Sequence, residues 1–184
     1  ALRTRRPTQS DFIVGRHSRD HYTKHHPNDP AFFRNVIRAG HRVRLMGASV
    51  IASALQNDSA DIRGRIEVIA AGAESAADFL TSLDCFIYRA HPYWYETGGN
   101  VIAEAMAMAI PVIVIGEVMG FAELIEHDVN GYCVATEAEA LAKIDRLASD
   151  EMLRARIGRA ARARMERLVT EQHEGIVAFY AGTA

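Results

Sequence analysis

Short apolar runs alternate with amphipathic stretches along most of this chain. Phe12-Ile13-Val14 is stopped by Gly15, Val43-Arg44-Leu45-Met46 by Gly47, and Ile66-Glu67-Val68-Ile69 leads to Gly72. Cys85-Phe86-Ile87-Tyr88, Pro111-Val112-Ile113-Val114-Ile115 and Gly131-Tyr132-Cys133-Val134 follow. Runs that stay apolar without clean alternation suit strands covered on both faces, as the strands of a parallel sheet are. Between them the spacing predicts helices over 31–39, 50–55, 76–83, 101–108, 121–125, 138–147 and 151–168. Strand and helix in alternation predict an α/β, Rossmann-like, doubly wound parallel sheet with helices on both faces. Right-handed crossovers then place any ligand outside the carboxyl ends of the strands.

The same pattern divides the chain. Residues 1–10 read as a linker, 11–169 as one sheet domain, and 170–184 as a terminal helix. In that helix Ile176, Val177, Phe179 and Tyr180 have no obvious strand to cover. They either fold back on their own sheet or pack on a domain outside this chain.

Composition narrows the partners. With 184 residues, 49% of them hydrophobic, the chain can bury a core, and a net charge of -2 creates no general field for nucleic acid. Basic residues nevertheless crowd the start, with Arg3, Arg5, Arg6, Arg16, Arg19 and Lys24, so a local anion site is compatible with the balance. Cys85 and Cys133 lie far apart inside apolar runs, the pattern of small buried thiols in a reducing, cytoplasmic compartment. His17, His21, His25 and His26 are interleaved with Arg and Lys and read as a solvated loop. The arginines at 154, 156, 159, 162, 164 and 167 read as a solvated helix face, which also leaves room for peripheral contact with an anionic membrane surface.

The segment that carries chemistry runs from Glu96 to Glu104, following a predicted strand and opening a predicted helix. Gly98 and Gly99 permit close backbone approach by a ligand. The amides of Asn100 and Val101 are unpaired donors at a helix start, which favours a phosphate. Glu96 reaches past that anion site, and Glu104 stands one turn into the helix. A carboxylate only accepts hydrogen bonds and so suits sugar hydroxyls. His91, Tyr93, Trp94 and Tyr95 just before Glu96 read as a rim on the acceptor side.

Glu96 and Glu104 with seven residues between them, followed by Ala105-Met106-Ala107 and Ile110-Pro111-Val112, resemble the Glu-x7-Glu signature of retaining glycosyltransferases. More narrowly the chain resembles glycosyltransferase family 4, the glycogen-synthase-like group with the GT-B fold. Val14-Gly15-Arg16 resembles that family's first strand and phosphate-binding Gly-Arg, and Glu123 with Asn130-Gly131 resembles its later turns. The matches run in order from about Phe12 to Val134.

The resemblance implies roles. Glu96 would contact the transferred sugar as the catalytic position, and Glu104 would hold the ribose hydroxyls. Gly99, Asn100 and Val101 would meet the diphosphate through the backbone, with Arg16 and Lys24 as cations and Gly15 and Gly98 as further substrate-binding positions. It implies no cofactor and no metal, and no Asp-x-Asp occurs in the sequence. The partners implied are a nucleotide-sugar donor, an acceptor of unknown identity and an N-terminal domain of the same enzyme; this half alone is expected to be inactive.

The sequence departs from the family in places. The gap between Arg16 and Lys24 is long, which makes Arg19 a rival cation. Met119 replaces a turn glycine, and Ala109 stands where a helix-ending glycine is common, at a cost if that position is left-handed. A sugar-nucleotide 2-epimerase of the same fold and a non-catalytic nucleotide-binding domain are the alternatives.

Overall fold

The computed structural model describes residues 12–93, 100–116 and 124–181, with side chains to 174. Six strands form a single all-parallel sheet: β1 (Ile13–His17), β2 (Arg42–Met46), β3 (Ile66–Ile69), β4 (Cys85–Arg89), β5 (Val112–Ile115) and β6 (Tyr132–Val134). Their order is β3-β2-β1-β4-β5-β6, so the chain reverses its direction of travel across the sheet between β1 and β4. That reversal is where a doubly wound sheet opens a crevice at its carboxyl edge. β1 pairs with β2 over five residues but with β4 at only Val14–Cys85 and Gly15–Phe86, so Arg16 and His17 stand where β1 and β4 part.

Helices cover both faces. α1 (Asp29–Arg38), α2 (Ser49–Leu55), α3 (Ala60–Arg63) and α6 (Glu137–Ser149) pack on one side, burying Phe32, Phe33, Ile51, Ile62 and Ile144 against Leu45 and Ile113. α4 (Ala76–Thr81) and α5 (Asn100–Ala107) cover the other, where Phe79, Leu80, Ile102 and Met106 meet Phe86 and Val112. α7 (Glu151–Ala181) serves both cores, with Leu153 and Ile157 in the first and Ala161 in the second. Local signals explain the starts. Pro30 sits in the first turn of α1, where its missing amide is not needed. Thr136 caps α6 by accepting from the Glu139 amide, and Glu139 reaches back to the Ala135 amide.

Several sequence expectations change. Gly15 does not stop the first strand but lies inside it, because a Cβ there would collide with the Arg44 carbonyl and lie 2.7 Å from Leu83 Cδ2. It is a close-packing position between strands. The short α3 carries too few residues to show a period and was not expected. The terminal stretch is no separate helix, since α7 continues unbroken through position 170 to Ala181. Side chains from 175 on, and most of the predicted 121–125 helix, lie outside the described residues. Among the described residues, no helix is long and apolar enough to cross a membrane.

Candidate functional site

The carboxyl end of β1 delivers Arg16, His17 and Ser18 to the mouth of the crevice, and the carboxyl end of β4 delivers Arg89. Gly47 after β2 turns with φ +72° and approaches the Ser18 carbonyl too closely for a side chain. The N-terminal turns of α5 bring Asn100, Val101 and Glu104 over this edge from the β4 side. His17 Nε2 lies 3.1 Å from Glu104 Oε2, where α5 approaches the end of β1.

Arg16 is where the sequence analysis expects a cation, yet its guanidinium is 2% exposed and engaged by the protein. Nη2 donates to the Lys24 carbonyl at 2.5 Å and Nη1 to the Arg89 carbonyl at 3.2 Å. Nη1 also lies 3.5 Å from Asp29 Oδ2, and the guanidinium stacks 5.4 Å from the Tyr88 ring centre. Only Nε, buried, lacks a hydrogen-bond partner. Arg16 thus clips β1, β4 and the turn after β1 together across the parting of the strands.

Its counter-ion is Asp29, equally buried, whose other oxygen lies 4.0 Å from Arg89 Nη1. Arg89 Nη1 in turn donates to Glu137 Oε1 at 2.6 Å. Two guanidiniums and two carboxylates therefore form one charge-balanced cluster beneath the crevice. Burial pushes the Asp29 carboxyl above its ordinary range, against the opposing pull of Arg16, the His26 amide and Arg89. Sequence reasoning missed Asp29, Arg89 and Glu137. Arg89 did leave a trace, as a charge at the end of an apolar run; Asp29 reads simply as an acidic helix start.

The histidines also differ from expectation. His17 and His25 are buried, not solvated. The His25 ring pairs through Nε2 with the Gly47 carbonyl at 3.0 Å, and burial, then the Arg16 charge, push its pKa down to about 4. His17 packs edge-on against Phe79 and Phe86, its pKa lowered by burial and then by Arg16. Glu104 is half-exposed, and partial desolvation raises its carboxyl.

Of the sequence-predicted set, the fold brings together Arg16, Lys24 and Glu104 at one edge, with the exposed amide end of α5 at Asn100 and the half-buried Val101. Lys24 sits in a short 3-10 turn, Tyr22–Lys24, beside Arg16. Arg19 is exposed just past β1. Tyr93 projects into solvent at 90% exposure, and His91 lies between it and Tyr22. Glu96, Gly98, Gly99, Trp94, Tyr95, Met119 and Glu123 lie outside the described residues.

A six-stranded parallel sheet with this order, reversing between β1 and β4, defines a Rossmann-like domain of the GT-B kind. The family model for glycosyl transferases group 1 matches residues 53–164, more than half of the chain, and the chain belongs to that family. The capsular polysaccharide biosynthesis glycosyltransferase CapM of Staphylococcus aureus is 27% identical over 146 residues, covering 76% of this chain. The chain spans only 37% of that relative's length. Among solved structures, HepE of Anabaena in complex with UDP and glucose aligns with a TM-score of 0.72 at 20% identity, over 94% of this chain and 49% of that one. The C-terminal domain of a group 1 family glycosyl transferase (LpcC) from Francisella tularensis aligns with a TM-score of 0.64 at 21% identity, over 85% of both chains.

Proposed function

We propose that this chain is the donor-binding half of a retaining, family 4 glycosyltransferase that takes a nucleotide diphosphate sugar and passes its glycosyl group to an acceptor. The observation that carries this reading is the position of Glu104 beside the helix start at the β1/β4 reversal, in a chain of the group 1 family. The α5 amides take the diphosphate, Glu104 takes the ribose hydroxyls, and Glu96 faces the transferred sugar. The UDP and glucose bound in HepE support a diphosphate donor. Departing diphosphate develops negative charge that fixed amides and cations stabilise without a divalent ion.

The burial of Arg16 refines its part. Its two Nη groups already have protein partners, so its positive charge acts on the donor from beneath the crevice while Lys24 and Arg19 stand nearer solvent. An acceptor and the remaining part of the site belong to a second domain of the enzyme, and closure of the two would complete the reaction cleft.

Calorimetric titration with UDP, GDP and ADP tests the reading. One nucleotide is expected to bind, and Glu104→Ala to weaken it on the order of tenfold, the value of a hydrogen bond to a charged group. Glu96→Gln is expected to leave nucleotide affinity unchanged and abolish transfer in the complete enzyme. Retention is read from the anomeric configuration of the product by NMR. Failure of every nucleotide to bind the complete enzyme would sink the proposal.

A further inference from the structure

His17 is oddly placed for a core residue. Its ring fills a slot between Phe79 and Phe86, with centroids 5.8 Å away on each side, a slot that a third phenylalanine would also fill. Burying an imidazole there leaves a polar nitrogen to be satisfied. Nε2 is shielded from solvent and has no hydrogen-bond partner, although Glu104 Oε2 lies 3.1 Å from it, out of line for a hydrogen bond. A buried nitrogen without a hydrogen-bond partner, this close to the Glu104 carboxylate, is not explained by packing. Burial and the neighbouring Arg16 charge lower the pKa of the imidazole, and in its Nε2–H tautomer this atom is a donor.

We infer that His17 is a positioning residue for Glu104: its Nε2 holds the Glu104 carboxylate in the orientation that accepts the ribose hydroxyls of the donor. The inference rests on the proposed role of Glu104 as the ribose acceptor. The two carboxylate oxygens divide the work. A rotation of the Glu104 side chain brings Oε2 into line with Nε2–H and leaves the remaining lone pairs for the sugar. β1 supplies the anchor because His17 is its last residue, held in register opposite Met46 of β2 and therefore rigid, whereas Glu104 is half-exposed and free to rotate about its own bonds.

The test compares binding of UDP, GDP and ADP with binding of their 2′-deoxy counterparts by calorimetry. The wild-type protein is expected to prefer the ribonucleotide, and Glu104→Ala to erase that preference. His17→Phe, which fills the same slot without a nitrogen, is expected to lower ribonucleotide affinity on the order of tenfold and deoxynucleotide affinity much less. His17→Gln, whose amide nitrogen reaches a similar point, is expected to restore the preference. His17→Leu gives the same comparison should the Phe variant fail to fold. A lost preference in Glu104→Ala with an intact one in His17→Phe or His17→Leu overturns the role of His17 and leaves that of Glu104 standing. An intact preference in Glu104→Ala, or no binding of any nucleotide, overturns both. Loss of ribo- and deoxynucleotide affinity in equal proportion marks His17 as structural and also overturns the inference.

Discussion

At the scale of single residues, the edge of this sheet is governed by what burial does to charge. His25 titrates near 6.5 in an unfolded chain but only near 4 in the folded protein, because its ring is desolvated and lies near Arg16. Between those values the unfolded state holds more protons, so stability is complete above pH 6.5 and falls as the pH drops toward 4. The full loss attributable to His25 is about 3 kcal/mol. His25→Gln, which keeps a donor for the Gly47 carbonyl, is expected to lose less stability than the wild type when urea midpoints at pH 7.5 and pH 5 are compared. An equal loss in both proteins would assign the acid sensitivity elsewhere. Some slope remains in the variant, since His17 and His26 are also shifted downward. Burial of these rings was not legible in the sequence, because neighbouring Arg and Lys residues make the segment look solvated while the strand and the Gly47 turn close over it.

Between elements, one close contact lies where the chain just past α5 meets α7. Ala109 adopts φ 58°, the left-handed conformation the family resemblance implied for a glycine. Its carbonyl then abuts Gly158 of α7, where a Cβ would collide with it. The two positions form one joint: a strained residue without glycine on one side, a glycine without strain on the other. Ala109→Gly relieves a left-handed penalty of about 1–2 kcal/mol, partly offset by the greater freedom of glycine in the unfolded chain. A net gain of about 1 kcal/mol is expected from urea denaturation. Gly158→Ala is expected to cost about 1–3 kcal/mol through overpacking. A Gly158→Ala variant as stable as the wild type would mean that α7 does not pack this closely. The helix containing Gly158 was legible from its period, but the demand for glycine there was not, because it comes from a carbonyl 49 positions away in the chain.

At the scale of the whole molecule, the reversal between β1 and β4 decides where chemistry can occur. It gathers residues from the start of the chain and from its middle at one edge, beneath an α5 whose first residue, Asn100, is exposed. The cations and amides that the donor reading uses are all supplied by protein. Nucleotide affinity is therefore expected to be unchanged, within error, when a chelator replaces magnesium in the titration. A substantial loss under chelation would require a divalent ion in donor binding and would count against the metal-independent mechanism. The cluster of buried Arg16 and Asp29 with half-buried Arg89 and Glu137 ties the same edge together from β1, α1, β4 and α6, so removing Arg16 or Asp29 strands a buried charge.

The sequence by itself determined the architecture. Strands covered on both faces must be apolar throughout, and the helices between them must carry a 3.6-residue stripe, so both left periods that can be read locally. It also offered the Glu-x7-Glu segment and Arg16 as candidates, through their resemblance to a glycosyltransferase family. Only the tertiary structure decided what those residues touch. It placed Gly15 inside a strand, turned Arg16 inward onto Asp29, and set His17 against Glu104. Each of those outcomes depends on partners from distant parts of the chain, whose approach is fixed by strand order and register, quantities that no local pattern encodes.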